Sequence, residues 1–450
     1  MSMMTIAAAA QAIGAKARGT ATFVRVTTDS RQIQPGDMFV ALRGEKFDGH
    51  QFAQAALDAG AAAVMLDEQG AADISPALVV ADTRLALGQL AAYWRRQMPA
   101  RIVGVTGSSG KTSVKEMLAA ILRAAVGEDA VLATQGNFNN DIGMPLTLLR
   151  LRSGHQYGVI EMGMNRAGEI DYLTRLAQPD VALINNAGTA HIGMLGSVAA
   201  IAAAKGEILA GLPTQGVAVI NADDEFATLW RQSAGTHTVI DFGLRHAQAV
   251  RGSYVAHADH NDMQISTPDM QLAVRLPVLG EHNVMNALAA TAAALALGIN
   301  GAAIVTGLQG YKGVYGRLQH KRAINDAVLI DDSYNANPDS TKAAIQVLAT
   351  APGTRLLVLG DMGELGADAE AMHAEIGKLA KCARLDGLFA LGELSRHAVA
   401  AFGSGAQHFN NVKELTAALL PQLAAGVTVL VKGSRFMQME RVVKALEEEA

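Results

Sequence analysis

One run of the 450-residue sequence has the residue types and order of a phosphate site: Ile102-Val-Gly-Val-Thr-Gly-Ser-Ser-Gly-Lys-Thr-Ser113. An apolar strand, Ile102 to Thr106, enters a glycine-rich turn, and apolar residues at 114, 117, 118, 121 and 122 follow on one face of a helix. Gly107 and Gly110 let the backbone turn, so that the amides of Ser108, Ser109 and the residues after them converge on phosphate oxygens at the positive end of that helix. Lys111 is placed to reach the terminal phosphates and Thr112 to ligand magnesium, with Ser113 completing the candidate ATP contacts. The spacing fits the general G-x-x-x-x-G-K-[ST] pattern only loosely, because Val105 stands five positions before Gly110. A Gly-Ser turn with a solvent-facing lysine is the plain alternative; the strand before it and the amphipathic helix after it favour a nucleotide site.

A phosphate loop does not identify a reaction, so the acids, imidazoles and amines at neighbouring strand ends matter next. Glu161 ends the apolar strand Tyr157 to Met162, where a carboxylate presents hard oxygen ligands to magnesium, although an isolated glutamate there is more often simply solvated. His191 follows Val181-Ala-Leu-Ile-Asn-Asn-Ala-Gly188 and offers a neutral imidazole to a metal, against the commoner hydrogen-bonded loop histidine. Lys205, in Ile201-Ala-Ala-Ala-Lys-Gly-Glu207, reads on local grounds as a surface lysine on a helix.

These residues need a scaffold, and the composition bounds it. Half the residues are apolar and 18% are charged, which suits packed cores, and the length fits about three domains of roughly 150 residues. Lys plus Arg total 37 against 42 Asp plus Glu, with no dense basic block, which argues against nucleic acid as the main partner. The longest apolar stretch, Ala287 to Ile299, is shorter than the roughly 20 residues that span a bilayer and reads as a buried helix, so no stable membrane insertion is expected. Met1 to Gly14 has no basic residue before its alanines and is assigned to the fold rather than to a signal peptide. A single cysteine, Cys382, excludes an intrachain disulfide and a thiolate metal cage and fits the cytoplasm.

The first residues alternate short apolar runs with turns, then give a helix from Phe52 to Ala59 and a strand at Ala62 to Leu66. A helix from Leu85 to Gln97 leads onward. From Ile102 apolar strand candidates at 102–106, 131–134, 157–162, 181–185 and 217–221 alternate with helices, which implies a parallel sheet covered on both faces. Residues 251–278 alternate like half-exposed strands and predict a small antiparallel appendage, closed by a helix at Val284 to Leu297. A third series has strands at 328–331, 356–359, 388–391 and 427–431, whose following loops gather at the carboxyl edge of a sheet. The fold class is α/β with three domains: residues 1–84, a central P-loop ATPase-like parallel sheet at 85–316, and a Rossmann-like domain at 317–450.

Taken together, Thr106-Gly-Ser-Ser-Gly-Lys-Thr112, Glu161-Met-Gly163, Ala190-His191, Lys205-Gly-Glu207 and Gly280-Glu-His-Asn-Val-Met-Asn-Ala287 resemble the Mur ligase family. Four more segments resemble the branch that joins D-alanyl-D-alanine to UDP-N-acetylmuramoyl-tripeptide. They are Asp29-Ser-Arg31 with Phe47-Asp-Gly-His50; Thr134-Gln-Gly-Asn-Phe-Asn-Asn140 with Ile142-Gly-Met-Pro145; Asp332-Ser-Tyr-Asn-Ala-Asn-Pro338; and Gly360-Asp-Met-Gly-Glu-Leu-Gly366. Asn337-Pro-Asp-Ser340 stands where the branch that adds a diamino acid typically carries Asp-Asn-Pro-Arg, which argues against that branch.

The resemblance implies an ATP-dependent ligase of peptidoglycan precursor synthesis, working through an acyl phosphate and a tetrahedral intermediate. It also implies roles. Thr112 and Glu161 would meet one magnesium and His191 a second, near Lys205 as a carbamate. Asn283 and Asn286 would lie near the adenine, and Arg317 and Asp332 would meet phosphate and ribose. Ser30 and Arg31 would contact the uridine diphosphate in a UDP-substrate domain; Asn137, Asn139 and Asn140 would contact the muramoyl peptide, and Asn335 and Asn337 the dipeptide, with ordinary turn asparagines left open. A monomer is expected. The rivals are another ligase of the family and a nucleotide-driven switch that ignores both peptides.

Overall fold

The computed structural model describes residues 2–45, 47–70 and 73–448; the outermost residues of the expected first and last domains, 1 and 449–450, lie outside them. The first unit is a five-stranded sheet in the order Lys16–Arg18, Ala77–Val80, Ala63–Asp67, Asp37–Val40, Arg25–Thr27, parallel except at its first strand. The apolar amino terminus belongs to it as expected: Met4–Thr5 pairs with Thr22–Phe23, and the Thr5 hydroxyl caps the helix Ile6–Ile13 by accepting the Ala8 amide at 3.1 Å. Helix α1 (Thr83–Arg96) leads into the second unit, with the Asp82 carboxylate capping the Arg84 and Leu85 amides. Its Trp94 Nε1 donates to the Leu151 carbonyl at 3.0 Å, and Thr83 Oγ1 donates back to Ala41 at 2.7 Å, which ties the two units together.

The second unit is built on β1 (Arg101–Thr106), β2 (Val131–Ala133), β3 (Tyr157–Glu161), β4 (Val181–Ile184), β5 (Val217–Asn221), β6 (Thr238–Gly243), β7 (Val250–Ala256), β8 (Asn261–Ser266) and β9 (Gln271–Leu276). Their spatial order is β9-β8-β7-β6-β5-β4-β1-β3-β2, parallel from β2 to β7. β1 therefore lies between β3 and β4, where the chain changes direction across the sheet and opens a crevice at the strand ends. Helix α2 (Lys111–Val126) follows β1, and all five apolar positions that define its face, Val114, Met117, Leu118, Ile121 and Leu122, are fully buried. Residues 251–278 are not a separate appendage. β7, β8 and β9 are antiparallel as expected, but β7 extends the same sheet by pairing Phe242 with Val250 and Gly243 with Arg251. Their inward residues, Met263, Ile265, Val274 and Leu276, need the cover of the central core, which three short strands alone would lack.

Helix α3 (Val198–Gly206) carries Lys205, and α4 (Glu281–Ala296) packs its alanine-rich length into the core. Trp230 is fully buried against α3 and donates Nε1 to the Ala202 carbonyl at 2.9 Å. Trp230→Ala is expected to cost about 3–5 kcal/mol of stability, read by urea unfolding, because it opens a large cavity and removes that hydrogen bond.

The third unit has β10 (Gln319–Arg322), β11 (Val328–Asp332), β12 (Thr354–Gly360), β13 (Gly387–Leu391), β14 (Ala406–Phe409) and β15 (Val427–Lys432), in the order β10-β11-β15-β12-β13-β14. Only β10 is antiparallel. The loops after β11, β12 and β15 gather at one edge as expected and are bonded to each other: the Ser434 amide donates to Asp361, Ser434 Oγ to Ala336, and the Gly363 amide to Ser434 Oγ. Among the described residues no helix is long and apolar enough to cross a membrane.

Candidate active site

The P-loop lies at the carboxyl end of β1. Gly110 caps α2 with φ of 80°, a left-handed conformation, and a Cβ there would stand 2.3 Å from Asn286 Oδ1 and 2.6 Å from Asn185 Nδ2. Gly110→Ala is expected to cost about 1–3 kcal/mol at this turn, roughly five- to 150-fold in ADP affinity by calorimetric titration. The turn itself differs from expectation. The Ser108 amide donates to the Asn186 carbonyl at 3.0 Å and the Ser109 amide to Asn186 Oδ1 at 2.9 Å, so these two donors shape the loop rather than await an anion. The amides at the start of α2, at Lys111, Thr112 and Ser113 on the cleft wall, are the ones left for a phosphate.

Lys111 Nζ donates to its own loop at the Gly107 carbonyl, 2.7 Å away. Burial pulls its pKa below the ordinary lysine value, with the Glu161 carboxylate opposing that shift and Arg317 adding to it. Glu161 is buried and its two oxygens are both engaged: Thr112 Oγ1 donates to Oε2 at 3.1 Å and Asn139 Nδ2 to Oε1 at 2.8 Å. It is thus a cleft carboxylate and not a solvated strand end. Asn140 caps the Ile142 and Gly143 amides, and Asn137 joins it on the same wall.

Lys205 overturns its local reading. It is 2% exposed and lies behind the cleft, where burial first and the nearby Lys111 charge second drive its pKa well below the ordinary value. Burial there disfavours the charged ammonium relative to the neutral amine. His191 opens on the cleft with φ of 66° and has its Nδ1 2.7 Å from Glu364 Oε2 of the third unit; that imidazole holds the Glu364 carboxyl below its usual range. Asn283, Asn286 and Asn185 form a chain along α4 to the P-loop, with Asn286 Nδ2 on Asn283 Oδ1 at 3.3 Å and Asn185 Nδ2 on both Asn286 Oδ1 and the Ser109 carbonyl at 3.0 Å.

Across the cleft, Arg317 stacks over the Tyr334 ring at 4.3 Å. Asp332 is already held: its Oδ2 accepts Lys432 Nζ at 2.6 Å and its Oδ1 accepts the Leu318 amide at 3.2 Å. Asn335 gives its side-chain oxygen to the Ala336 and Arg435 amides, and Asn337 caps the helix α5 (Pro338–Ala349). The third unit is docked on the P-loop region through Asn337 Nδ2 to Ser109 Oγ at 3.4 Å, the Thr189 amide and hydroxyl to Asp339 Oδ2 at 2.7 and 2.8 Å, and the Gly193 amide to the Glu364 carbonyl at 2.9 Å. The space between the units is a cleft of about 900 Å³.

Every candidate of the second and third units except Gly107 and Lys205 lines that cleft, whereas Ser30 and Arg31 do not. Ser30 and Arg31 lie in a short helix of the first unit, where Arg31 is exposed and paired with Asp29 at 2.8 Å. Asn186, His282, Tyr334 and Lys432 also line the cleft; the sequence placed the loops of Tyr334 and Lys432 at the ligand edge of the third sheet but assigned none of the four an individual role. Burial pushes His282 down to about 4, with Asp332 opposing and Lys432 reinforcing the shift. The signal available was position: Asn186 and Lys432 end or follow buried strands, as Glu161 does.

The chain matches the Mur ligase family, catalytic domain, over residues 22–95, the Mur ligase middle domain over 105–294, and the Mur ligase, glutamate ligase domain over 316–435. It is 45% identical over 431 residues to the UDP-N-acetylmuramoyl-tripeptide--D-alanyl-D-alanine ligase of Escherichia coli strain K12, covering 95% of this chain and 94% of that protein. It is 37% identical over 441 residues to the enzyme of the same name from Bacillus subtilis strain 168, covering 94% and 93%. The crystal structure of MurF from Acinetobacter baumannii aligns over 98% of each chain with a TM-score of 0.91 at 39% identity, and MurF from Thermotoga maritima in complex with ADP over 94% of this chain and 96% of that one with a TM-score of 0.83 at 27% identity. With all three units matched and relatives similar over nearly its full length, this chain belongs to the Mur ligase family.

Proposed function

We propose that this chain joins D-alanyl-D-alanine to UDP-N-acetylmuramoyl-tripeptide at the cost of ATP, giving the UDP-linked pentapeptide, ADP and phosphate. The observation that carries this reading is the cleft itself: a P-loop lysine, hydroxyl and carboxylate on one wall face arginine, aspartate and asparagine side chains of the third unit on the other. Amide formation from a free carboxylate is uphill in water, so the acid is activated first. A tripeptide carboxylate oxygen attacks the γ-phosphorus and the bond to ADP breaks, leaving an acyl phosphate. The dipeptide amine then attacks the acyl carbon, and the tetrahedral intermediate expels phosphate while the nitrogen gives up its proton.

Lys111 and the first amides of α2 would offset charge on the transferring phosphoryl group, and Arg317 would meet it from the other side. Ser108, Ser109, Gly110 and Ser113 shape the loop around it, and Asn283 and Asn286 would flank the base, with Asp332 near the ribose. Thr112 and Glu161 fit a magnesium ion: both are oxygen donors, and their 3.1 Å separation is close to that of neighbouring ligands around an ion bound at about 2.1 Å. When bound, the ion supplies charge neutralisation at the phosphates. His191 would serve a second ion together with Lys205 as a carbamate. The depressed Lys205 amine supports that modification, in which the neutral nitrogen bonds the carbon of carbon dioxide and loses a proton. Asn137, Asn139 and Asn140 would hold the muramoyl peptide, and Asn335 and Asn337 the dipeptide. Docking of the third unit over the loop would exclude water from the acyl phosphate.

The division into residues 1–84 for the uridine diphosphate (Ser30 and Arg31), 85–316 for ATP and 317–450 for closure is part of the proposal, as are a monomer and a cytoplasmic location. Competition between acceptors tests the specificity. Product is expected from the UDP-tripeptide with D-alanyl-D-alanine and none from the UDP-dipeptide with diaminopimelate; the reverse pattern would assign the chain to a different branch of the family.

A further inference from the structure

The tip of the β7–β8 hairpin carries His257-Ala-Asp-His260-Asn-Asp262. β7 and β8 pair through Val255 with Asp262 and Ala256 with Asn261, and the His257 amide donates to the His260 carbonyl at 2.9 Å. Ala258 and Asp259 are thus a two-residue connection, and His257 and His260 are directly opposed. Opposed residues share a face of the hairpin, and so do residues two apart on one strand, which brings Asp262 beside both histidines. The imidazoles stack with centroids 4.4 Å apart and planes 9° from parallel.

His260 Nδ1 lies 2.7 Å from Asp259 Oδ1. A carboxylate can only accept, so this ring nitrogen carries the proton and, in the neutral ring, Nε2 presents a lone pair. His260 Nε2 is buried, makes no hydrogen bond, and stands 3.4 Å from Asp262 Oδ1. His257 Nε2 stands 3.1 Å from Asp262 Oδ2, and all three donor groups lie within 4.8 Å of one another. Bonds of about 2.0–2.1 Å in a tetrahedral site separate neighbouring ligand atoms by about 3.3 Å, close to both spacings. A carboxylate behind an imidazole, as Asp259 is behind His260, is also how ligating histidines are oriented. Among the described residues no other group of three His, Cys, Asp or Glu side chains converges in this way.

We propose that His257, His260 and Asp262 bind a divalent transition-metal ion of the zinc class, at a site separate from the nucleotide cleft. Two imidazoles and one carboxylate suit such an ion rather than magnesium or calcium. The His257 and Asp262 side chains remain 41% and 47% exposed, which leaves the remaining coordination position to water. None of the hairpin residues lines the cleft. Arg275 Nε, 3.5 Å from Asp262 Oδ1, is the protein cation that competes for this carboxylate.

The chelator-stripped full chain titrated with Zn²⁺, and in parallel with Co²⁺ whose visible absorption reports tetrahedral coordination, tests this directly. One zinc equivalent is expected in the native chain and lost in His260→Ala, Asp259→Asn should weaken it about tenfold, and Arg275→Gln should bind at least as tightly. Substrate-dependent phosphate release by His260→Ala, unchanged from the native chain, shows that the variant is folded. A zinc equivalent that survives both His257→Ala and His260→Ala with unchanged affinity belongs to other histidines and overturns the proposal.

Discussion

Lys205→Met is expected to lower peptide-bond formation by at least about 10²–10³-fold and, in the same variant, to raise resistance to urea. Methionine fills nearly the same volume without an amine to desolvate, so removal of the buried nitrogen should be worth about 1–3 kcal/mol. The sign with pH follows from the direction of the shift. The folded-state pKa of Lys205 lies well below its ordinary 10.5, so between those two values the unfolded chain holds a proton that the folded chain has released. Stability of the native protein therefore rises with pH across that window, by at most about 1.4 kcal/mol per unit from this group, and the advantage of Lys205→Met shrinks as pH approaches 10.5. Unfolding midpoints at pH 7 and pH 9.5 in carbon dioxide-free buffer check it. A variant that loses activity and is also less stable than the native protein at pH 7 would contradict the placement of Lys205 as a buried amine whose charged form is disfavoured. Incorporation of ¹³C-labelled carbon dioxide, present in the native protein and absent from Lys205→Met, separates the carbamate from a purely structural amine.

Lys111→Ala is expected to reduce turnover by roughly 10³-fold or more, because the proposed mechanism makes it the P-loop amine that would meet the phosphates. The loss should fall mainly on kcat, with the KM values for both peptide substrates changed far less, since the charge that shifts toward the leaving oxygen as the bond to ADP breaks is met only in the transition state. Lys111 also holds the Gly107 carbonyl at 2.7 Å, so a nucleotide titration accompanies the kinetics. A variant that still binds ADP within a few-fold of the native chain yet fails to turn over assigns the lysine to chemistry. Full turnover by Lys111→Ala would remove it from the phosphoryl step.

Much of this architecture was legible because it is written in period and order. The strand, glycine turn and amphipathic helix from Ile102 onward are local features, and all five predicted apolar positions of α2 are buried. The parallel strands were readable as apolar runs because both of their faces are covered. Edge strands were harder: β10 reads Gln-His-Lys-Arg, and such polarity at a sheet edge resembles a loop. The antiparallel strands β7 to β9 were seen, but not that they extend the central sheet, since no local pattern encodes which edge a hairpin joins. Burial of Lys205 was invisible too, because alanine neighbours suit a surface helix as well as a packed one. Partners remote in sequence are set only by the tertiary fold: Lys432 meets Asp332 across adjacent strands of the third unit, and Asp339 meets Thr189 only where the third unit docks on the second.

The docking of the third unit over the P-loop makes the central claim one of coupling: phosphoryl transfer to the tripeptide has to be tied to the dipeptide proposed for the opposite wall. Magnesium-dependent phosphate release from ATP, with UDP-N-acetylmuramoyl-tripeptide and D-alanyl-D-alanine supplied separately and together and the nucleotide product weighed by mass spectrometry, tests that claim most directly. Release that requires both peptides, with a mass gain equal to the condensed dipeptide, is the expected result. Phosphate release indifferent to the peptides, or a nucleotide product of unchanged mass, would contradict the ligase assignment and leave a nucleotide-driven switch in its place.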